Sequence, residues 1–174
     1  MTTADMRGEN PATVNRWKDI GVLVAFVAVA LLAGQLGSLA TAPSIPTWYA
    51  GLEKPWFNPP RWAFPVAWTI LFILMGVAAW LAWRAREVRP GDRSRAMIAY
   101  AVQLGLNVGW SFAFFGAQSP AAGLVVVVLL LGAIVVTMLA FRRLSGLAAL
   151  LLVPYVAWVS FATILNAAIL ILNR

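Results

Sequence analysis

Four stretches of the chain carry no Asp, Glu, Lys or Arg: Ile20–Pro46, Trp62–Trp83, Ala96–Phe141 and Leu144–Asn173. The third is interrupted at Gly116–Pro120, which leaves five apolar pieces. Each has roughly 20 residues or more, enough for a helix to cross a bilayer. The pattern predicts an all-α membrane protein, a five-transmembrane-helix bundle, with helices at about 20–40, 64–83, 96–116, 121–141 and 147–172. Met1–Asp19 is polar, of mixed charge, and reads as a flexible N-terminal tail (1–19) ahead of a single membrane domain (20–174).

Polar positions inside these runs carry more information than the apolar ones. In the third helix Gln103, Asn107 and Ser111 are four apart and form one stripe. Ala101, Gly105, Gly109 and Ala113 form a second, offset by two residues, about 200° around the helix. Neutral polar groups in hydrocarbon face protein or a cavity. Small residues four apart let another helix approach closely. The simplest assignment turns the polar stripe inward and places the small stripe at a dimer contact; packing within one monomer is the alternative. In the fifth helix Tyr155, Trp158, Ala162 and Asn166 share a face that can meet Asn107 and, from the second helix, Trp68. Pro154 is placed to kink that helix. The fourth, rich in Val and Leu, reads as scaffold or lipid-facing. Gln35, near the outer end of the first helix, is suited either to the interior or to the interface.

Between the first two helices lies WYAGLEKPWFNPPRWAFPVAW (48–68). Pro55, Pro59, Pro60 and Pro65 stiffen it and favour extended backbone. Its tryptophans and tyrosine suit a membrane–water boundary. It reads as a lid over a pocket between the helices.

Charge sets orientation. The chain is 62% hydrophobic and 11% charged, with net charge +7. Of its 13 Lys and Arg, ten fall in the N-terminal segment and the second and fourth loops. By the positive-inside rule the N-terminus is cytoplasmic and the lid faces outward. The basic residues sit in separate loops, not on one folded face, so nucleic acid is not indicated. Arg16 and Lys18 before an apolar stretch, with Ala40-Thr41-Ala42 after it, resemble a signal peptide, but the stretch is long for one and a retained helix is preferred.

The residue inventory narrows the chemistry. There is no Cys and no His, so disulfides, thiolate metal sites and the usual general base are excluded, and no metal or cofactor is expected. Met75 and Met138 read as helix filling. No ionisable residue is expected in the hydrocarbon core, which argues against an ion-coupled pump. What remains is an aromatic cavity with a few amides and a rim bearing Lys54 and Arg61. That suits a large, flat, mainly apolar ligand with acidic groups.

The segments 48–68, QLGLNVGWSFAFFG (103–116) and VPYVAWVSFATILN (153–166), in order on five helices, resemble the TspO/MBR family: the bacterial tryptophan-rich sensory proteins and the mitochondrial translocator protein, or peripheral-type benzodiazepine receptor. The resemblance implies a homodimeric five-helix bundle. It also implies a pocket for porphyrins such as protoporphyrin IX and for drug-like benzodiazepine-site ligands. Carried over by motif, the ligand-binding residues are Trp48, Tyr49, Pro59, Pro60, Trp68, Asn107, Trp110, Trp158 and Ala162. Trp68 and Trp158 match the tryptophans linked in some members to light-dependent porphyrin breakdown. The tyrosine of the family's sterol pattern is replaced by Ala167, which lowers the expectation of sterol binding. Three functions follow as expectations: a porphyrin receptor or sensor, a photochemical porphyrin-degrading protein, and a passive transporter or scaffold. Positive-inside logic favours the cytoplasmic membrane, whereas the resemblance implies the outer membrane, as for some bacterial members, or the mitochondrial outer membrane, as for the eukaryotic ones.

Overall fold

The computed structural model describes residues 11–85, 89 and 91–174. Among them the chain is helical throughout its ordered elements, with no strand. The helices are α1 (Pro11–Ser44), α2 (Trp48–Gly51), α3 (Ala63–Trp83), α4 (Asp92–Ser111), α5 (Pro120–Arg142), α6 (Gly146–Leu150) and α7 (Val153–Leu172). Five segments are long and apolar enough to span a membrane: Arg16–Ser44, Ala63–Trp83, Asp92–Gly116, Pro120–Arg142 and Gly146–Leu172. The protein is an integral, multi-pass membrane protein. Its two ends are called here the basic end, which holds the start of α1 and the Arg-rich loops, and the lid end.

Local chemistry explains most boundaries. Ser119 caps α5, its hydroxyl accepting from the Ala122 amide at 3.2 Å, with Pro120 in the first turn. Ser145 caps α6 in the same way, accepting from Ala148 at 3.3 Å. Gln118, at φ 50°, turns the chain between α4 and α5.

Three differences from the pattern-based boundaries have physical causes. First, helix is already present at Pro11, inside the segment expected to be a tail; Met1–Asn10 lie outside the described residues. Asp19 is held against the end of α3, where its carboxylate accepts from Trp80 Nε1 at 3.1 Å and pairs with Arg84 at 3.3 Å. Second, the expected 147–172 helix is divided into α6 and α7 by a turn at Leu151–Leu152. Pro154 lies in the first turn of α7 and lacks the N–H that would continue α6. Third, α4 ends in a π-helical turn, Phe112–Gly116, where Ala117 N donates to Phe112 O at 2.7 Å and Ser119 N to Phe114 O at 3.2 Å. The extra residue in that turn brings both Phe114 and Phe115 to the interior.

At the basic end the helices touch closely. Ala78, Ala79, Ala82, Ala96 and Ala148 are fully buried beside Met75, Ile134 and Phe141. A Cβ on Gly76 would lie 2.6 Å from Val27 Cα, so α1 and α3 meet backbone to backbone there. The buried face of α5 runs through Gly123, Val127, Leu130, Ile134, Thr137 and Phe141 at helical spacing. α5 is thus a core wall packed on α4 and α7, as well as part of the lipid-facing surface.

Candidate functional site

Above that packed foundation the bundle opens. A cavity of about 630 Å³ occupies the lid half, within the range of small-molecule sites. Its walls come from α1, α3, the end of α4 and α7, and its roof from the lid. On the α1 side the lining is small and polar: Gly34, Gln35, Gly37, Ser38 and Thr41. Gly37 leaves room for Ser111 of α4, since a Cβ there would lie 2.9 Å from Ser111 Oγ. Opposite stand Phe64, Trp68 and Phe72 of α3, and Trp158, Phe161 and Ala162 of α7.

The aromatic rings line the cavity in two connected groups, one around Trp68 and Trp110 and one around Trp158. Trp68 stacks on Phe72 with centroids 5.6 Å apart and lies 6.4 Å from Trp110. Trp110 stacks on Phe114 at 5.7 Å. Phe64 meets Trp158 edge-on at 6.1 Å and so closes the gap between α3 and α7. Such offset and edge-on pairs are favourable geometries, and they hold the rings in fixed orientations.

Beneath the rings runs the polar stripe of α4. Asn107 Nδ2 donates to Tyr155 Oη at 2.9 Å, and both residues are buried. Trp110 Nε1 donates to Asn166 Oδ1 at 3.3 Å, and Asn166 Nδ2 donates to the Pro120 carbonyl at 2.7 Å. A Cβ on Gly123 would lie 2.9 Å from Asn166 Oδ1, so this glycine makes room for the amide. One level lower, Gln103 reaches Met75 Sδ at 3.7 Å, while Gln103 Oε1 and the Tyr100 hydroxyl have no partner among the described residues.

The lid is tied down at several points. Tyr49 Oη donates to Asn58 Oδ1 at 3.1 Å, and burial raises the Tyr49 phenol above its ordinary pKa of 10.0. Lys54 Nζ donates to the Leu52 carbonyl at 2.7 Å and sits 4.9 Å from the centre of the Tyr49 ring. Ser44 Oγ donates to the Phe115 carbonyl at 2.9 Å. Finally, Asn173 Oδ1 accepts from the Glu53 amide while Asn173 Nδ2 donates to the Glu53 carbonyl, both at 2.9 Å. The end of α7 therefore clasps the lid backbone.

Of the residues expected in the pocket, Tyr49, Pro59, Trp68, Asn107, Trp110, Trp158 and Ala162 lie on this one wall. Lys54 and Arg61 are on it too. Trp48 is not: it packs edge-on to Phe114 at 5.5 Å, behind the lining. Pro60 is exposed on the outside of the lid. Sequence reasoning missed the glycine- and hydroxyl-bearing face of α1, the inward turn of Phe114 and Phe115, and the Asn173 clasp. Only the first left a signal, small and polar residues at 34, 37, 38 and 41 in an otherwise apolar helix. Of the small stripe, Ala101 and Gly105 are exposed, and a Cβ on Gly105 would meet nothing within 4 Å.

Comparison with known proteins agrees with this architecture. The chain is 49% identical over 160 residues to the tryptophan-rich protein TspO of Chlorobaculum tepidum, covering 90% of this chain and 98% of that one. It is 46% identical over 151 residues to the tryptophan-rich protein TspO of Archaeoglobus fulgidus, covering 87% and 96%. It is 40% identical over 122 residues to the human translocator protein, covering 68% and 70%. The family profile described as TspO/MBR matches residues 25–172, which takes in all five membrane spans bar the start of the first. This chain belongs to the TspO/MBR family.

Proposed function

We propose that the protein is a tetrapyrrole-binding membrane receptor, with a sensor or translocator role of the kind its relatives' names describe. One observation carries the reading: a cavity of about 630 Å³ with stacked indole and phenyl walls, buried amides at its floor and two cations at its rim. A flat porphyrin ring would stack on Trp68 and Trp110, and its carboxylates would reach Lys54 and Arg61. Drug-like ligands of the benzodiazepine-site class suit the same apolar volume. The N-terminus is assigned to the cytoplasmic side by its basic loops. We assign a second copy to the small stripe of Ala101, Gly105, Gly109 and Ala113, whose first two residues are exposed.

The test is quenching of tryptophan fluorescence by protoporphyrin IX in the dark, in detergent. Saturable quenching weakened by Asn107→Ala and by Trp68→Ala supports the site; unchanged affinity in both variants rejects it. A photochemical reading draws on the presence of both Trp68 and Trp158 on the cavity wall. Illumination then yields a new porphyrin product, and that product disappears in the Trp68→Phe/Trp158→Phe double variant. Product that persists in the double variant removes the two tryptophans from the chemistry.

A further inference from the structure

One side of the cavity is not closed. Among the described residues, none that lines it from α4, the π-helical turn or α7 is exposed. From α1 and α3 four are: Gln35, Ala42, Pro65 and Thr69. Each borders the cavity and the outside at once, so the wall is open where α1 and α3 face each other. The other seams are sealed. Phe64 meets Trp158 between α3 and α7, Ser44 donates to the Phe115 carbonyl between α1 and the π-helical turn, and Trp110 donates to Asn166 between α4 and α7. Among the described residues, the side-chain bonds that tie α1 to α3 lie at the basic end, from Asp19 to Trp80 and Arg84.

The opening is a window inside the membrane. Its lower edge is Phe72, where a Cβ on Gly34 would lie 2.8 Å from the ring and the two helices close again. At about 1.5 Å per residue, Thr69 lies about 9 Å along α3 from Ala63, and Gln35 about 14 Å along α1 from Ser44. Both lie deeper than Trp62, 68% exposed at the start of α3, which marks the membrane boundary. The helix surfaces beside the window carry exposed Leu36 and Leu39 on α1 and Val66 and Ile70 on α3, as a face toward lipid requires. The second copy assigned to α4 leaves it uncovered. Ala101 borders the side of α1 that carries Val29, and Ser38 is turned about 180° from Val29 on that helix.

Polar groups frame this opening in an apolar surface. Ser38 and Thr69 donate their protons to carbonyls of their own helices, Gln35 O at 2.7 Å and Pro65 O at 2.8 Å, and so keep lone pairs to offer. The Gln35 amide has one hydrogen-bond neighbour among the described residues, Ser38 Oγ at 3.5 Å from Oε1. An amide at this depth is costly unless it faces polar groups, and here it stands at the mouth of a cavity. Above the window, just ahead of α3, exposed Arg61 lies on the rim at headgroup level.

We infer that ligands reach this cavity sideways from the bilayer, through the window between α1 and α3. The inference rests on the cavity being a ligand site, as proposed above. The ligand class it admits is the membrane-dissolved acidic amphiphile with a flat apolar body. Its acidic groups stay at the level of Arg61 while the body passes edge-on between Gln35 and Thr69. The lid guards the other route, to water.

The chain has no cysteine, so a single introduced one can be labelled alone. Gln35→Cys and Thr69→Cys put the label at the window. Ile70→Cys, beside Thr69 but exposed to lipid and off the cavity lining, is the reference. Each full-length variant is labelled in detergent with benzyl methanethiosulfonate, which a reductant removes, and is reconstituted in phosphatidylcholine bilayers. Protoporphyrin IX is delivered from vesicles in the dark, and quenching of tryptophan fluorescence reads association, release and affinity. A label at either window position is expected to slow association and release together by about tenfold, with affinity changed by less than about twofold. Reductant restores both rates, and the label at Ile70→Cys changes neither. Association that is not slowed by the label at either window position overturns the inference and leaves the cavity reading intact. Equal slowing at Ile70→Cys does the same. A label that lowers affinity without slowing association sits in the cavity and not in a path, which also overturns it. Absence of saturable quenching in the wild type removes the cavity reading, and this inference falls with it.

Discussion

The same two helices, α1 and α3, behave in opposite ways at their two ends. At the basic end they meet through Gly76 and Val27, backbone against backbone, among alanines with no exposed surface. At the lid end their facing residues, Ser38 and Thr41 on one side and Pro65, Trp68 and Thr69 on the other, line the cavity instead of each other. Small side chains close one half and large rings prop open the other. Lipid tails are as apolar as the core, so close contact between helices rests on packing and polar contacts rather than on exclusion of water. The closed half is where that contact is made, and it lets the open half keep an unfilled volume.

The contrast breaks most sharply at glycine. Gly76→Ala puts a methyl group against the Val27 backbone, which cannot rotate away. A loss of roughly 1–3 kcal/mol is expected, as for other overpacked cores. Gly105→Ala meets nothing within its own protomer, and in the detergent-solubilised monomer an alanine in an exposed helix is favoured over glycine by about 0.5–1 kcal/mol. Thermal unfolding in detergent reads both; equal shifts in the two variants would deny that the halves differ.

The polar stripe gives the next effect. Asn107→Leu leaves the Tyr155 hydroxyl buried without its partner, at a cost of about 1–3 kcal/mol. Gln103→Leu, one turn lower, loses only a weak contact to sulfur and removes an acceptor that has no partner. It is expected to be neutral or stabilising. If Gln103→Leu destabilises the protein as much as Asn107→Leu, the lower position holds interactions that the geometry does not show.

These pairs also show what could be read in advance. Five spans were legible because charge is absent over lengths that only a membrane accommodates. The inward face of α4 was legible because an amide in hydrocarbon must find a partner. Helix periodicity put Asn107, Trp68 and the Tyr155 face of α7 on faces that could meet, but it did not by itself say which faces pair. Much of the cavity wall came instead from resemblance to the family, and there Trp48 and Pro60 differ, lying off the lining. The π-helical turn has no sequence signature: FAFFG gives no hint that one extra residue will turn both Phe114 and Phe115 inward. The Asn173 clasp joins residues 120 positions apart, and nothing local to either marks the other.

At the cavity floor the two halves meet, and a smaller perturbation tests the boundary. Gly34→Ala points a methyl group at the Phe72 ring, 2.8 Å from Cδ2. A ring can turn where a backbone cannot, but Phe72 stacks on Trp68, so the shift passes into the ligand wall. Porphyrin affinity is expected to fall about tenfold, with stability changed by less than about 1 kcal/mol. Loss of stability with intact binding would assign Gly34 to the packed half.

The smallest effect belongs to the lid. Asn173 holds Glu53 through two hydrogen bonds that are exposed to solvent, so each contributes at the low end of about 0.5–1.5 kcal/mol. Asn173→Ala should therefore leave the unfolding temperature nearly unchanged and raise the rate of ligand release by about fivefold, because only the closed lid is weakened. Tyr49→Phe removes the second tie, the bond to Asn58, and should act in the same direction. The two ties differ in their response to pH. The Asn173 bonds involve no titrating group, whereas the Tyr49 phenol must stay protonated to donate. Burial raises its pKa, so the folded protein holds this proton more tightly than the unfolded chain does. The contribution of that tie is complete below about pH 10 and is lost as pH rises through the raised value. Among the described residues the cavity wall carries no carboxylate or imidazole, so release measured with a neutral ligand should be flat from about pH 5 to 8. It should accelerate only in strongly alkaline solution, and Tyr49→Phe should abolish that acceleration while Asn173→Ala leaves it in place. Acceleration near neutral pH would mean that a group outside the cavity wall controls the lid.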